Sequence, residues 1–214
     1  YSPFRFGISI HTPTWYTLED MNGSTLYYND EYVHSLATDP FTYSYRTPWK
    51  FGLSLGHTIG NYIAIGAEYE FSDPSTAKYE SNGWNEDIYF RNINTITKES
   101  LKAQNTVKLG LEVKPSDEIS VRVGYNYISS PFKKEAYRTV MFDSPFTETD
   151  FTNWEDTNRF TFGLGFRFNG GYLDLAYQYT AQEGEFYAFD DIDLKPTKIE
   201  NNRNQLLCTL GLRF

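Results

Sequence analysis

Residues 159–168 read RFTFGLGFRF, and this stretch decides the fold. Its side chains alternate between an apolar set and a polar or small set: Phe160, Phe162, Leu164, Phe166 and Phe168 against Arg159, Thr161, Gly163, Gly165 and Arg167. A β-strand sends successive side chains to opposite faces. The stretch therefore predicts a strand with one apolar and one polar face.

The same alternation recurs along the chain and predicts eight strands in all. The other seven are 4–11, 50–57, 61–71, 106–114, 119–127, 172–179 and 205–214. Three connections are short and rich in turn residues, around Gly60-Asn61, at 115–118 and at 169–171. Four connections are long and polar: 12–49, 72–105, 129–158 and 180–204. Short turns at one end and long loops at the other are typical of an outer-membrane barrel, whereas a β-sandwich more often has short links at both ends.

Composition excludes several other classes of protein. One Cys among 214 residues rules out a disulfide framework and a cysteine zinc site. No run approaches the roughly 20 apolar residues of a membrane-spanning helix. A net charge of -9 argues against nucleic-acid binding, which depends on neutralising phosphates. In the opening YSPFRFGISI no basic region precedes an apolar one, so no signal peptide is visible, and we expect either that it was removed or that the chain is part of a longer protein.

Alternation alone does not distinguish a soluble sandwich from a membrane barrel, but three features favour the barrel. Glycines interrupt the polar faces, which suits a crowded lumen. Apolar residues alternate up to the terminal Phe214. Tyr and Trp residues cluster near strand ends, where a membrane interface favours them: Tyr45, Trp49, Tyr62, Tyr69, Tyr125, Tyr127, Tyr172, Tyr177 and Tyr179. We therefore predict a single all-β domain over 1–214, an antiparallel up-and-down transmembrane barrel of about eight strands. One long loop, at 85–104, has helical spacing and predicts a helix.

Two segments, TPWKFGLSLGHTIGNYIAIGAEYEF (47–71) and NTVKLGLEVKPSDEISVRVGYNYISSPF (105–132), resemble the FadL-type outer-membrane transport family, in particular its Bacteroides-group members. The run PFRFGISIHTP (3–13) and the closing LGLRF also fit. The resemblance covers most of the chain but only the carboxyl-terminal half of the family's barrel. It implies a monomeric barrel of about fourteen strands with an amino-terminal plug, which moves fatty acids or other hydrophobic molecules inward across the outer membrane.

The resemblance also implies an orientation. The C-terminus and the short turns would lie in the periplasm of a Gram-negative cell, with Phe214 read by the insertion machinery and the long loops outside. Because the chain shows no plug and no early strands, we expect it to be a portion of a larger barrel surrounded by outer-membrane lipid.

No residue pattern indicates an enzyme, a metal site or a cofactor. No GxSxG nucleophile motif is present. Of the three histidines, His11 and His57 are predicted to have polar strand positions, and His34 lies in a loop. Ser9 and His11 share one face, but no third group is spaced to orient them. The acidic run 183–193, with Asp190, lacks the glycine of a calcium loop and is interpreted as a solvated loop.

Charged residues on the polar faces are the candidates for contact with a solute. The lumen-facing candidates are Glu68, Glu70, Glu112, Arg122, Arg167 and Asp174, with Lys108, Lys114 and Arg213 beside them. One hypothesis is a lumen that selects solutes or contacts a plug. The other, which the near balance of signs favours, is a salt-bridge network that fills the barrel.

The predicted function is passive uptake of a hydrophobic small molecule. The aromatic loops 14–21 and 27–45 would line an entry site or, as we favour, form loop packing and a girdle. Two alternatives stay open: a structural barrel that binds protein partners through its extracellular loops, and a soluble β-sandwich or lipocalin-like binding protein.

Overall fold

A computed structural model describes residues 3–21, 25–28, 31–34, 41–81, 87–134, 136–137, 150–189, 191 and 193–212. The described residues form thirteen strands, one helix α1 (Asp87–Ser100) and a short 3-10 turn (Pro74–Thr76). The strands are β1 (Phe4–His11), β2 (Trp15–Asp20), β3 (Thr25–Tyr28), β4 (Glu31–His34), β5 (Phe41–Arg46), β6 (Lys50–Ile59), β7 (Ile63–Ser72), β8 (Lys78–Ser81), β9 (Gln104–Val113), β10 (Ile119–Ile128), β11 (Phe151–Phe168), β12 (Gly171–Tyr187) and β13 (Thr197–Leu212).

Eight of these strands form one antiparallel sheet in the order β1-β6-β7-β9-β10-β11-β12-β13. The connections β6–β7, β9–β10 and β11–β12 are short and meet at one end of the sheet, called here the turn end. Gly60 and Gly170 make two of these turns with positive φ angles of 56° and 90°, which glycine adopts without steric cost. The opposite end, called the loop end, carries the long connections.

The register separates an apolar face from a polar face throughout the sheet. One row of direct cross-strand partners on the apolar face is Ile8, Leu53, Tyr69, Val107 and Tyr127. One row on the polar face is Gly56, Gly66, Gly110, Gly124 and Thr161. Paired residues point to the same side of a sheet, so the alternation in sequence becomes two continuous surfaces.

The apolar face is the exposed face. Phe6 retains 67% of its accessible surface, Leu55 retains 62% and Leu206 retains 77%. Buried hydrophobic residues in the described part of the chain are only Phe90, Ala136 and Tyr187, all at the loop end. Soluble domains bury an apolar face against a second layer. The described residues supply no second layer here.

The sheet is open. Within the described ranges, β1 and β13 each pair on one edge only, so these residues do not close a barrel by themselves. The predicted antiparallel arrangement of eight strands is confirmed, whereas closure is not present. No helix in the described part of the chain is long and apolar enough to cross a membrane.

The long connections contain more regular structure than their sequence predicts. The segment 12–49 carries β2 to β5, and β2, β5 and β8 form a small separate sheet while β3 pairs with β4. Strands β11, β12 and β13 extend into the segments 129–158 and 180–204, which the sequence predicts to be loops. The predicted helix exists but ends at Ser100, and Gln104 already begins β9.

Helix α1 packs on the small sheet through one buried ring and one polar side chain. Phe90 is buried and its ring centroid lies 5.4 Å from that of Tyr43 on β5. The Asn94 amide bonds both backbone groups of Tyr79, accepting from its N–H at 2.8 Å and donating to its carbonyl at 2.7 Å. These contacts attach the helix to the small sheet at the edge strand β8.

Candidate functional site

The polar face of the large sheet is concave and forms a trough. Arg5 on β1 and Arg167 on β11 line one hollow although four strands separate β1 from β11 in the sheet. Such an approach requires the sheet to curl with its polar face inside. The trough is therefore where the sequence-predicted lumen residues have to be sought.

A chain of charges crosses the trough. The Lys114 ammonium lies 3.1 Å from Glu112 Oε1, and Arg122 Nε lies 2.6 Å from Glu112 Oε2. Arg122 Nη1 in turn lies 2.8 Å from Asp174 Oδ1. The structure thus brings together three of the six predicted candidates, from β9, β10 and β12.

The glycines of β11 make this chain of charges possible. Arg122 is the direct partner of Gly163, and Asp174 is the direct partner of Gly165, so β11 runs between the two charged residues. A Cβ atom at Gly165 would lie 2.7 Å from Asp174 Oδ1 and 3.3 Å from Arg122 Nη1. The missing side chain leaves the space through which Arg122 reaches across β11.

The other three candidates lie apart. Glu68 Oε1 pairs with the Lys108 ammonium at 2.7 Å, in direct register between β7 and β9. Glu70 lies nearer the loop end, where it lines a hollow of about 550 Å³ with His11 and Lys50. Arg167 lies at the turn end. Arg213 lies outside the described residues.

A wide hollow occupies the middle of the trough. It measures about 600 Å³, and the glycine row Gly66, Gly110 and Gly124 lies in its floor. A Cβ atom at Gly110 would meet no heavy atom within 4 Å. The floor of this hollow is mostly backbone. It lies between the ion pairs of Arg122 on one side and the Glu68–Lys108 pair on the other. Glycine inside a strand often marks close approach by another group.

The histidines do not form a site. His11 lies on the polar face opposite Lys50, as predicted, and Ser9 lies opposite Gly52. The prediction for His57 is wrong, because its register partner is Phe4 on the apolar face and the two rings stack with centroids 4.2 Å apart. His57 has the same parity as Phe51, Leu53 and Leu55, so the sequence already contained this information. The side chain of His34 lies outside the description.

The acidic run 183–193 is only partly a loop. Residues up to Tyr187 belong to β12, and Asp191 Oδ1 accepts from the Asp193 N–H at 2.8 Å in a local turn. Asp190 lies outside the described residues. Across the described ranges, no three His, Cys, Asp or Glu side chains lie close enough to hold a metal ion.

A row of tyrosines marks the apolar face toward the loop end. Each tyrosine hydroxyl donates a hydrogen bond to an amide or carboxylate oxygen on the adjoining strand. In every pair the accepting residue lies nearer the loop end than the tyrosine. The pairs are Tyr69–Asn105, Tyr125–Asn158, Tyr127–Asp156, Tyr177–Asn204 and Tyr179–Asn202, with oxygen–oxygen distances of 2.6, 2.7, 2.6, 2.6 and 3.1 Å. We call these five pairs the tyrosine row. The sequence predicts these tyrosines near strand ends, but the partners of their hydroxyl groups depend on the register of the strands.

The small sheet at the loop end carries a second aromatic group. The ring centroid of Tyr79 on β8 lies 6.1 Å from that of Tyr43 and 4.8 Å from that of Tyr45, both on β5. Burial and the Asp20 carboxylate, which accepts from the Tyr43 hydroxyl at 2.9 Å, raise the pKa of Tyr43 to about 12. Burial also raises the pKa of Tyr79. These predicted loop aromatics therefore pack on one another and on α1, and Tyr16 at the margin remains 48% exposed.

Comparison with known proteins agrees with this architecture. No protein-family model matches the sequence, and no curated protein matches it by sequence. A crystal structure of a Pseudomonas aeruginosa FadL homologue superposes with a TM-score of 0.56 at 15% sequence identity. The match covers 98% of this chain and 48% of that chain, so this chain spans about half the length of the homologue. Along almost its whole length the chain has the fold of about half of a FadL homologue.

Proposed function

We propose that the chain is the carboxyl-terminal portion of an outer-membrane barrel that takes up hydrophobic small molecules, such as fatty acids, by passive diffusion. Residues of the trough would line the path, and no covalent chemistry is involved. The proposal also includes a closed barrel of about fourteen strands, an amino-terminal plug and a likeness to the Bacteroides-group members of the family.

The exposed apolar face carries the proposal. Side chains such as Phe6, Leu55 and Phe162 project from a surface that nothing else in the described part of the chain covers. In water such a surface would cause aggregation, whereas in a bilayer it is the surface that contacts lipid. The absence of a second apolar layer among the described residues argues against the sandwich alternative.

The tyrosine row supports a membrane setting in a second way. A tyrosine side chain has an apolar ring with a polar hydroxyl at its end. It therefore favours the boundary between hydrocarbon and headgroups. All five phenols point toward the loop end, so the outer boundary of the bilayer would run along them. The loop end would then face the medium, and the turn end with the C-terminus would face the periplasm.

The open edges support a larger barrel. Unpaired backbone N–H and C=O groups in a bilayer cost several kcal/mol each, so spanning sheets are closed. Further strands pairing with β1 and β13 would satisfy these groups. The homologue is about twice as long as this chain, which leaves room for six more strands and a plug in a polypeptide of that length.

Two experiments test the proposal. The native polypeptide should have a mass far above 24.9 kDa and should stay with the membrane after carbonate extraction until detergent is added. The full gene should restore growth on oleate to a Gram-negative strain that lacks its own fatty-acid uptake protein. Release by carbonate alone would rule out an integral barrel, and a correctly inserted protein that does not restore growth would rule out fatty-acid uptake.

A further inference from the structure

Four exposed lysines lie at the loop end, on two segments that are bonded to each other. Lys98 is in the last turn of α1 and Lys102 follows the helix, whereas Lys133 and Lys134 follow β10. We call these four residues the lysine patch. The whole chain carries a net charge of -9, yet Glu99 is the only acidic residue of these two short segments, 98–102 and 129–134. The patch is therefore a local excess of positive charge on an acidic protein.

Hydrogen bonds to the main chain hold the two segments together. The Lys133 N–H donates to the Ser100 carbonyl at 2.9 Å, and the Lys102 N–H donates to the Pro131 carbonyl at 2.8 Å. The Lys133 ammonium donates to the Lys98 carbonyl at 2.8 Å, at the negative end of the α1 dipole. Within the described residues, the other three ammonium groups of the patch have no ion pair. These three are available to an external anion.

The patch lies close to the tyrosine row. The Asp156 carboxylate, which accepts from a hydroxyl of that row, also accepts from the Ser130 N–H at 2.7 Å. The main-chain carbonyl of Asn105, another acceptor residue of the row, accepts from the Ser129 N–H at 2.9 Å. Lys133 comes three residues after Ser130. The lysines therefore lie within a few residues of the row, on its loop-end side.

The segment after β10 covers the side of the sheet that carries the tyrosine row, not the trough. Phe151 on β11 pairs with Tyr187 on β12, and Tyr187 has the same parity as Tyr177 and Tyr179 of the row. Alternate residues of a strand share a face, so Phe151 and Tyr187 lie on that side. The Tyr137 ring packs there, with its centroid 6.3 Å from that of Phe151. The lysine patch, which precedes Tyr137 in the chain, is thus outside the trough.

We propose that the lysine patch binds the phosphate groups of lipids in the leaflet at the loop end. Under the proposed function the tyrosine row lies at the boundary between hydrocarbon and headgroups, so the lysines would stand at the depth of the phosphates. Lysines near an anionic bilayer surface are attracted to it, within about one Debye length, roughly 8 Å at physiological salt. The inference rests on the membrane setting of the proposed function. It adds a partner, a phosphate-bearing lipid, that the uptake of a solute does not require.

Spin-labelled lipids measure this selectivity directly. The full-length protein is reconstituted in phosphatidylcholine vesicles that contain a trace of either phosphatidic acid or phosphatidylcholine, spin-labelled near the end of the acyl chain. Lipids in contact with the protein give a motionally restricted component in the electron spin resonance spectrum. The size of this component for each labelled lipid gives the association constant of phosphatidic acid relative to that of phosphatidylcholine.

The variants differ in which lysines lose their charge. The test variant neutralises the three ammonium groups that have no ion pair: Lys98→Gln/Lys102→Gln/Lys134→Gln. The control neutralises three exposed lysines elsewhere at the loop end: Lys50→Gln/Lys195→Gln/Lys198→Gln. Lys133 is kept in both because its ammonium bonds the end of α1. Heat-modifiable mobility on gels verifies that each variant is folded.

We expect the native protein and the control to prefer phosphatidic acid about fivefold, the order expected for lysines near an anionic surface. The preference of the test variant should be below about twofold. In 1 M NaCl, where the Debye length is about 3 Å, the preference of the native protein should fall to the same level.

The outcomes separate this inference from the proposed function. A native protein that is inserted but has no preference would overturn the lipid site alone. So would a preference that survives in the test variant or in 1 M NaCl, or one that the control loses equally. A native protein that gives no motionally restricted component with either lipid is not in the bilayer, and that result would overturn the membrane setting and this inference together.

Discussion

Arg122 on β10 and Asp174 on β12 are joined across an intervening strand, with Nη1 2.8 Å from Oδ1 above Gly165 of β11. The bond ties three strands together on the polar face. Both side chains remain partly accessible, at 41% and 36%, so solvent screening limits the pair to about 1 kcal/mol of stability.

Adding one methyl group at Gly165 should break this contact. In Gly165→Ala the new Cβ would lie 2.7 Å from Asp174 Oδ1, so the carboxylate has to move away from Arg122. We expect a loss of about 1 kcal/mol in the free energy of unfolding, measured by urea titration in detergent micelles. Gly110→Ala is the matched control, because its Cβ would meet nothing within 4 Å and its stability should change by less than about 0.5 kcal/mol. Equal effects at both glycines would contradict this account.

A charge placed on the apolar face should oppose membrane insertion. Phe162 lies on that face in the middle of β11 and is 45% exposed, so Phe162→Arg would place a guanidinium in hydrocarbon. The expected cost is about 2–4 kcal/mol near the bilayer midplane. It is measured by unfolding of the full-length protein in lipid vesicles.

The control is its neighbour on the opposite face. Thr161→Arg places the same group in the trough, where we expect less than half of that cost. If Phe162→Arg is as stable as the native protein in vesicles, the apolar face does not contact lipid.

The Tyr43–Asp20 contact makes the small sheet sensitive to alkali. The Tyr43 pKa is raised to about 12, first by burial and then by the Asp20 carboxylate. The pKa of Tyr43 is therefore higher in the folded state than in the unfolded state, where it is near 10. The contribution of Tyr43 to stability is complete below pH 10, and it disappears as the pH rises through about 12. Asp20→Asn should lower the Tyr43 pKa while leaving it above 10, because burial remains. The titration of Tyr43 is followed by the NMR chemical shift of its 13Cζ atom in tyrosine-labelled protein, and the Tyr43→Phe variant assigns the signal. If the pKa of Tyr43 is unchanged in Asp20→Asn, the Asp20 carboxylate is not a cause of the shift.

The tyrosine row should lie at the depth of the lipid headgroups. In a variant whose four native tryptophans are replaced, a Trp is introduced at either Tyr125 or Val121, two positions on the same face of β10. We expect the fluorescence of the Trp in Tyr125→Trp to be quenched most by lipids brominated near the headgroup. The fluorescence of the Trp in Val121→Trp should be quenched most by lipids brominated deeper in the acyl chain. Identical quenching profiles at the two positions would mean that the row does not mark the boundary.

The sequence predicts the central strands well because one of their faces is apolar and the other polar, and that contrast produces a period of two. The sequence does not predict a strand where both faces of that strand are polar. Residues 151–158 and 197–204 carry Asn, Glu, Asp and Thr on both faces, so these halves of β11 and β13 look like loops. The sequence does not predict the small sheet, because its strands have only four to six residues.

The candidate site was predictable residue by residue but not as an arrangement. Alternation alone places Glu112, Arg122 and Asp174 on the polar face. Their contact depends on the register of three strands and on the missing side chain at Gly165. Alternation also places Arg5 on this face, but only the curvature of the sheet makes Arg5 and Arg167 line the same hollow.

The length of β11 has a consequence for what reaches the trough. Eighteen residues extend roughly 60 Å at about 3.3 Å each, or about 45 Å in height at a tilt near 40°, against an apolar band of about 25 Å. In a bilayer, β11 and its neighbours β12 and β13 would extend about 20 Å beyond the hydrocarbon, through the headgroups and into the medium. Under the proposed uptake function, a solute from the medium would reach this wall of strands before it reaches the trough.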